Sequence, residues 1–362
     1  MEYKKVKLKE VATILNGRAY KQNELLYNGK YKVLRVGNFF TSDTWYYSDF
    51  ELEENKYCNN GDLLFAWSAN FGPKIWDGDK TIYHYHIWKF ELTDKVDKYY
   101  LYYYLRFITE LLKKNTHGSV MMHLTKFEME NLELRLPNIN IQKKIGYILN
   151  KLDKKIELNN HINNNLLEIG TELLKNDFIL ENEKENLSQV IKFVKGKKPN
   201  YISTNKQVGY EKYLTIACLN GQELNYADTN NMVMSNNDLL MVMDGASSGE
   251  VYYGGQGIVG STLSRIDCID NNYISEFIFF SLKYYKNLIQ SKNTGSAIPH
   301  TDKVFVGSLE IPKLDIGKQE KYKVLLSKIQ HNQNENKTLE NLRDTLLPKL
   351  INGKIDLDKI KI

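Results

Sequence analysis

The sequence predicts an α+β fold of two pseudo-repeated α/β modules. Each module is followed by a long helix, and the two helices pair as an antiparallel coiled coil. Three observations carry this expectation. Motifs in the first half of the 362-residue chain return about 177 residues later. Two stretches repeat apolar or amide residues at alternating spacings of three and four, the signature of a helix packed along another helix. The segments before them are short, rich in Val, Ile, Leu and aromatics, and bounded by Asn, Gly and Asp turns, as strands are.

The elements follow in order. LKEVATILNGR (residues 8–18) opens the first copy and LSQVIKFVKGK (187–197) the second. YKVLRVGNF (31–39) corresponds loosely to YLTIACLNG (213–221), and NNGDLLFAW (59–67) to SNNDLLMVM (235–243); within them YKVLRV, YLTIACL, DLLFAW and DLLMVM read as strand-like. The shift varies near the front, so length differences fall in loops, where chains tolerate them. An amphipathic helix is expected in each copy, around residues 97–114 and 273–290. A Gly-Ser-x-x-x-His element follows, at Gly118, Ser119 and His123 and again at Gly295, Ser296 and His300. LELRLP (132–137) is then echoed by SLEIP (308–312).

The long helices come after these prolines. Leu152, Lys155, Asn159, Ile162, Leu166, Ile169 and Leu173 form the first stripe; Ile329, Asn332, Asn336, Leu339, Arg343, Leu346 and Leu350 form the second, in the same phase. Asn159 and Asn336 are polar at equivalent places, which lowers stability but selects register and partner. Pro348 is expected to kink or end the second helix. A separate homodimeric coiled coil for each helix is the alternative to their pairing. The expected limits are 1–140 and 181–316 for the modules, and 141–180 and 317–362 for the helices with the C-terminal tail.

Bulk properties narrow the class. The chain is 42% hydrophobic and 26% charged, with net charge +5. No apolar run approaches the roughly 18 residues of a membrane span, and the first residues lack the apolar stretch of a signal peptide. A cytoplasmic protein without membrane association is expected. Residues 1–140 carry 20 basic and 18 acidic side chains and residues 187–316 carry 12 of each, so there is no polybasic tail. A nucleic-acid partner therefore requires basic groups gathered on one face. Cys58, Cys218 and Cys268 have no CxxC spacing and are expected to be buried small hydrophobes.

A search for catalytic chemistry finds none that holds. Ser119 and His123 stand four apart, as on one helix face, but Pro299 before His300 argues against a helix in the second copy. Neither copy has the strand–Gly-x-Ser-x-Gly–helix setting of a nucleophile. The glycine-rich run at 244–262 lacks a Gly-Lys-Ser/Thr ending, and Asp244-Gly245 and Gly254-Gly255 read as hairpin turns, with phosphate binding by backbone amides left open. His84 and His86 would share a strand face, but no further metal ligand stands at a suitable spacing. The chain has no Pro-Pro for a methyltransferase motif, and its Glu-x-Lys triplets follow no Pro-Asp strand. No catalytic residue, metal or cofactor is expected.

The repeat anatomy resembles the specificity (S) subunit of type I restriction-modification systems. The residues that carry it are 136–178, with the Pro–spacer–Gln–Lys opening and LDKKIELN, and 311–355, with RDTLLPKLINGKI. NNGDLLFAWSANFG and NTGSAIPHTDKVFV are similar to elements of that family's target recognition domains. The second helix departs from the pattern in its polar Arg343 and its weaker GKQEKY opening.

The resemblance implies a non-catalytic subunit with two target recognition domains, each reading one half of a bipartite double-stranded DNA target. The helices would space them and dock methylation (M) subunits, with a restriction/translocase (R) subunit joining the assembly. A helix of roughly 38 residues would span about 57 Å. Loop side chains able to pair base edges are then the DNA-binding candidates. These are Arg18, Lys21, Arg35, Asn38 and Lys74 in the first module, and Lys197, Lys198, Asn220, Ser247 and Lys292 in the second. Trp67 and Trp76 are expected in the core, with contact to DNA as the alternative. The spacer-helix packing set is Leu152, Asn159, Ile162, Leu166, Ile169, Leu173, Ile329, Asn336, Leu339, Leu346 and Leu350. Two competing classes are a stand-alone restriction endonuclease and a coiled-coil adaptor without DNA affinity.

Overall fold

The computed structural model describes residues 3–40, 43–68, 71–115, 124–295, 298–355 and 357. It forms two compact units: Met1–Ile156 with Lys337–Ile362, and Glu157–Asn336.

In the first unit, β1 (Lys4–Lys7) pairs antiparallel with β10 (Glu133–Leu136). One four-stranded sheet has the order β2-β9-β6-β7, built from β2 (Ala12–Asn16), β6 (Leu63–Ala66), β7 (Gly72–Ile75) and β9 (Ile87–Leu92). The other has the order β4-β3-β8-β5, from β3 (Tyr31–Leu34), β4 (Tyr46–Ser48), β5 (Tyr57–Cys58) and β8 (Thr81–Tyr83), with β3 and β8 parallel. The second unit repeats this plan strand for strand. β11 (Lys184–Asn186) pairs with β20 (Glu310–Pro312). The order β12-β19-β16-β17 uses β12 (Ile191–Lys195), β16 (Leu239–Val242), β17 (Val251–Tyr253) and β19 (Leu263–Cys268). The order β14-β13-β18-β15 uses β13 (Tyr210–Leu214), β14 (Tyr226–Asp228), β15 (Met234–Asn236) and β18 (Gln256–Val259).

The continuous apolar runs DLLFAW and DLLMVM are explained by their strands being covered on both faces. Successive side chains of a strand point to opposite faces. Leu63 and Phe65 enter the main core of unit 1, while Leu64 and Ala66 enter the core of the smaller sheet. Leu239 and Met241 likewise part from Leu240 and Val242.

Short helix α6 (Ile216–Leu219) occupies the end of YLTIACL, a segment expected to be strand, while α1 (Val36–Phe40) begins on the last residue of YKVLRV. Thr215 caps α6 by accepting the Cys218 N–H at 3.1 Å, a local bond that competes with strand extension. The aromatic helix of unit 1 is continuous as α2 (Lys98–Asn115), whereas unit 2 divides it at Tyr285 into α7 (Ser275–Tyr284) and α8 (Lys286–Ser291). α3 (Lys126–Glu130) and α9 (Lys303–Ser308) precede the final strands, capped by Thr125 and Asp302, residues 177 apart. A single turn, α5 (Leu187–Val190), joins β11 to β12.

The long helices are α4 (Ile139–Leu180) and α10 (Ile316–Ile351), and they pack together. Asn159 donates to Asn336 at 2.8 Å, Asn332 donates to Asn163 at 2.8 Å, and Tyr322 donates to Asp177 at 2.6 Å. Rising numbers on one helix meet falling numbers on the other, so the pairing is antiparallel. In unit 1, Asp153 accepts from Arg343 at 2.7 Å and from Tyr103 at 2.6 Å. Asn159 and Asn336 hold equivalent places in the repeat and bond each other.

Of the expected packing residues, Asn159, Ile329, Asn336 and Leu350 are buried; Leu152, Ile162, Leu166, Leu173, Leu339 and Leu346 are half-buried. Ile169 is a correction, being 49% exposed. The buried position is Gly170, because the Phe280 ring lies where a Cβ would stand. Pro348 does not end the helix: α10 continues through it to Ile351. The proline has no N–H to give the Asp344 carbonyl, a loss of one helical bond that the rest of α10 absorbs.

Candidate nucleic-acid interface

The Gly-basic pairs that close LKEVATILNGR and LSQVIKFVKGK are placed identically in the two units. A Cβ at Gly17 would collide with the carbonyl oxygens of Tyr83 and His84; at Gly196 it would collide with those of Val259 and Gly260. Glycine thus lets the end of β2 or β12 lie against the turn entering β9 or β19. The next residue bonds that turn through its backbone, Arg18 N–H to Tyr83 O at 3.0 Å and Lys197 N–H to Val259 O at 3.2 Å. Each unit therefore sets one basic side chain beside the same turn.

In unit 1 the Arg18 guanidinium grips Glu24 at 2.8 and 3.3 Å and lies over the rings of Tyr20 and Phe50. That hydrogen-bonded pairing raises the Arg18 pKa and lowers that of Glu24. Glu24 also accepts the backbone N–H of Lys21, so Lys21 joins this group with its side chain exposed. Arg35 is exposed, stacks over Tyr46 and lies near enough to His84 to disfavour its protonation. Asn38 is taken up locally, donating to Thr44 O at 2.7 Å. Lys74 sits elsewhere, on β7, beside Asp77 at 3.7 Å and over the Trp76 ring. The structure therefore gathers Arg18, Lys21 and Arg35, and leaves Lys74 apart.

Trp76 is buried as expected, donating to Asp79 O at 3.0 Å. Trp67 is only half-buried; it stacks on Trp88 and donates to Tyr85 O at 2.9 Å. His84 and His86 do not share a strand. They flank Tyr85 in the tight turn between β8 and β9, closed by Ile87 N–H to His84 O at 2.9 Å. Burial, then His86 and Arg35, hold the His84 pKa down at about 4. Among the described residues no group of three His, Cys, Asp or Glu could hold a metal ion.

In unit 2, Lys197 reaches Asn231 O at 2.9 Å and Lys198 is exposed. Asn220 accepts from Tyr252 at 3.2 Å. Ser247 and Lys292 belong to neighbouring loops, joined where Asn293 donates to Ser248 O at 3.1 Å. Asp244-Gly245 does lie in the β16–β17 hairpin. Gly254-Gly255 does not form a hairpin: it links strands of two different sheets, with φ of +94° and +111°. His300 Nδ1 lies 2.7 Å from Asp244 Oδ1, and its backbone bridges Thr294, so it braces this loop. Gly118, Ser119 and His123 of the first copy, and Ser296 of the second, lie outside the described residues.

Residue-type reasoning missed the two residues that fasten each module to its helix. Gln142, 1% exposed, donates to Lys95 O and Pro137 O at 3.2 and 2.9 Å and accepts the Asp97 N–H at 2.9 Å. Gln319, 0% exposed, donates to Asn272 O and Leu314 O, both at 2.7 Å, and accepts the Ile274 N–H at 3.0 Å. Every partner is displaced by 177 residues. The only sequence signal was that the two glutamines stand 177 residues apart, in the first turn of each long helix.

This duplicated arrangement can be set beside known proteins. The family described as "Type I restriction modification DNA specificity domain" matches twice, over residues 1–168 and 180–343. The type I restriction enzyme MjaVIII specificity subunit of Methanocaldococcus jannaschii is 29% identical over 148 residues, 40% of this chain and 35% of that protein. The EcoBI specificity subunit of Escherichia coli is 24% identical over 157 residues, covering 42% and 33%. The match thus spans about a third of the length of these curated relatives. The fold is similar to that of the type I restriction-modification S subunit from M. genitalium, with TM-score 0.61, 16% identity, and coverage of 97% of this chain and 96% of that one.

Proposed function

The chain belongs to the type I restriction-modification DNA specificity family, and from that premise we propose that it is the sequence-reading subunit of such a system. Each unit reads one half of a bipartite target in double-stranded DNA. The paired helices set the spacing and dock M subunits, and an R subunit completes a cytoplasmic assembly. The subunit itself carries no chemistry, needs no cofactor and stays off membranes; among the described residues no helix is long and apolar enough to cross one. The modules correspond to residues 1–140 and 181–316, with the helices and tail at 141–180 and 317–362. The loop candidates act as a set: phosphate contacts position the protein, and base-edge contacts carry the sequence information.

The observation that carries this reading is the strand-for-strand duplication, with a basic residue set beside the same turn in each copy. A stand-alone nuclease or a purely structural adaptor does not require two such copies. The test is binding by the full chain, purified with its M subunits. Binding to target DNA should weaken steeply with salt, as counterion release requires, and neither strand should be cut in the presence of magnesium. Cleavage by the chain alone, or no salt-dependent binding, contradicts the proposal.

A further inference from the structure

The two units make the same turn between equivalent strands with very different residues. In unit 1 it reads His84, Tyr85, His86, and in unit 2 Gly260, Ser261, Thr262. The equivalence rests on matched backbone bonds: Ile87 N–H to His84 O and Leu263 N–H to Gly260 O, both 2.9 Å. Trp67 N–H to His86 O at 3.0 Å is answered by Met243 N–H to Thr262 O at 2.8 Å. A role in folding would be common to both copies. Unit 2 closes the turn with small residues, so the fold does not need aromatic bulk there.

The bulk in unit 1 is also organised. The Tyr85 and His86 rings lie 3.9 Å apart between centroids, and the Trp67 ring meets that of His86 at 5.0 Å. Trp67 is held from both sides, by Trp88 beneath it and by its N–H bond to Tyr85 O. Tyr85, within the turn that Arg18 adjoins, remains 39% exposed. An aromatic ring fixed in advance loses little conformational entropy on contact. His84 stays neutral near pH 7, which lowers the cost of bringing the tip against a base.

We propose that Tyr85, carried on this tip, is a specificity-determining residue of unit 1. Its ring makes an apolar or stacking contact with a base of the first half-target, a contact that unit 2 lacks. The inference rests on the proposed DNA-reading function and adds an asymmetry to it: one half-target is read partly through an aromatic contact, the other without one.

The test uses the full chain with its M subunits and target duplexes varied one base pair at a time. Tyr85→Ala should relax discrimination about tenfold at one or two adjacent positions of a single half-target, leaving the other half unchanged. Tyr85→Phe should retain the wild-type preference, because the ring and not the hydroxyl makes the contact. The urea midpoint followed by far-UV circular dichroism should stay close to the wild-type value in both variants, since the Tyr85 ring borders Trp67 and its removal alters tryptophan emission directly. A native Tyr85→Ala complex with wild-type preference at every position overturns the proposal while leaving the DNA-reading function standing. Failure of the wild-type complex to prefer any sequence removes both.

Discussion

Replacing Gln142 by leucine keeps approximate size and removes three hydrogen bonds, leaving the Asp97 N–H and the Lys95 and Pro137 carbonyls without that partner. At about 1 kcal/mol net each, the loss is about 3 kcal/mol. Leucine returns about 1 kcal/mol through apolar burial, while stranded buried polar groups add to the cost. The expected destabilisation is about 2–4 kcal/mol. Unit 1 carries its own reporter, since Trp45, Trp67, Trp76 and Trp88 are all of the chain's tryptophans and all lie in it. Urea unfolding followed by tryptophan fluorescence should therefore shift to lower denaturant by roughly 1–2 M, for a slope of about 2 kcal/mol per M. Gln319→Leu should move the far-UV circular dichroism transition more than the tryptophan one. A tryptophan midpoint unmoved by Gln142→Leu would refute the idea that this side chain fastens the module to α4.

Further outcomes follow from the same geometry. Gly17→Ala and Gly196→Ala should each cost about 2–4 kcal/mol in urea unfolding, because a Cβ meets backbone carbonyls. Gly317→Ala, which meets nothing within 4 Å, should instead gain up to about 1 kcal/mol. Asn159→Leu alone should cost about 1–3 kcal/mol by leaving the buried Asn336 carbonyl oxygen unpaired. With Asn336→Leu added, stability should recover while size-exclusion chromatography shows extra oligomers, since among the described residues only the Asn332–Asn163 amide pair is left to set register. His84, depressed by burial to about 4 against 6.5 when free, is stabilising in its neutral form above pH 6.5. That contribution should fade as pH falls from about 6.5 to 4, by about 1–2 kcal/mol after allowance for partial exposure. His84→Gln should remove that part of the pH dependence of the tryptophan transition.

The fold was legible in the sequence largely because it is written twice. A shift of 177 aligns Thr125 with Asp302 as helix caps and Asn159 with Asn336 as partners, so each copy checks the other. The second helix stripe was readable except near its end, where Leu347 is buried and the expected Leu346 only half-buried. The first slipped at Lys155, exposed beside the buried Ile156, and at Ile169, where a glycine, silent on any hydropathy scale, takes the buried position under Phe280. Gly254-Gly255 looked like a hairpin because local turn chemistry does not say whether the flanking strands pair with each other.

The candidate site was less legible. Composition could name Arg18 and Lys197, but only folding shows that Gly17 and Gly196 bring them to the same turn. It could not show that Arg18 is engaged with Glu24, or that Lys74 stands apart on β7. Gln142 and Gln319 escaped notice because a lone glutamine carries no chemical signature; their meaning lies in the backbone groups that converge on them.

The central claim is that two copies of one module read two halves of one target. Its most direct measurement is methylation-site mapping in cells carrying the chain with residues 181–316 exchanged for the matching module of a relative. One half of the methylated sequence should change, with the other half and the spacing between them kept. A change in both halves, or in neither, would contradict the account.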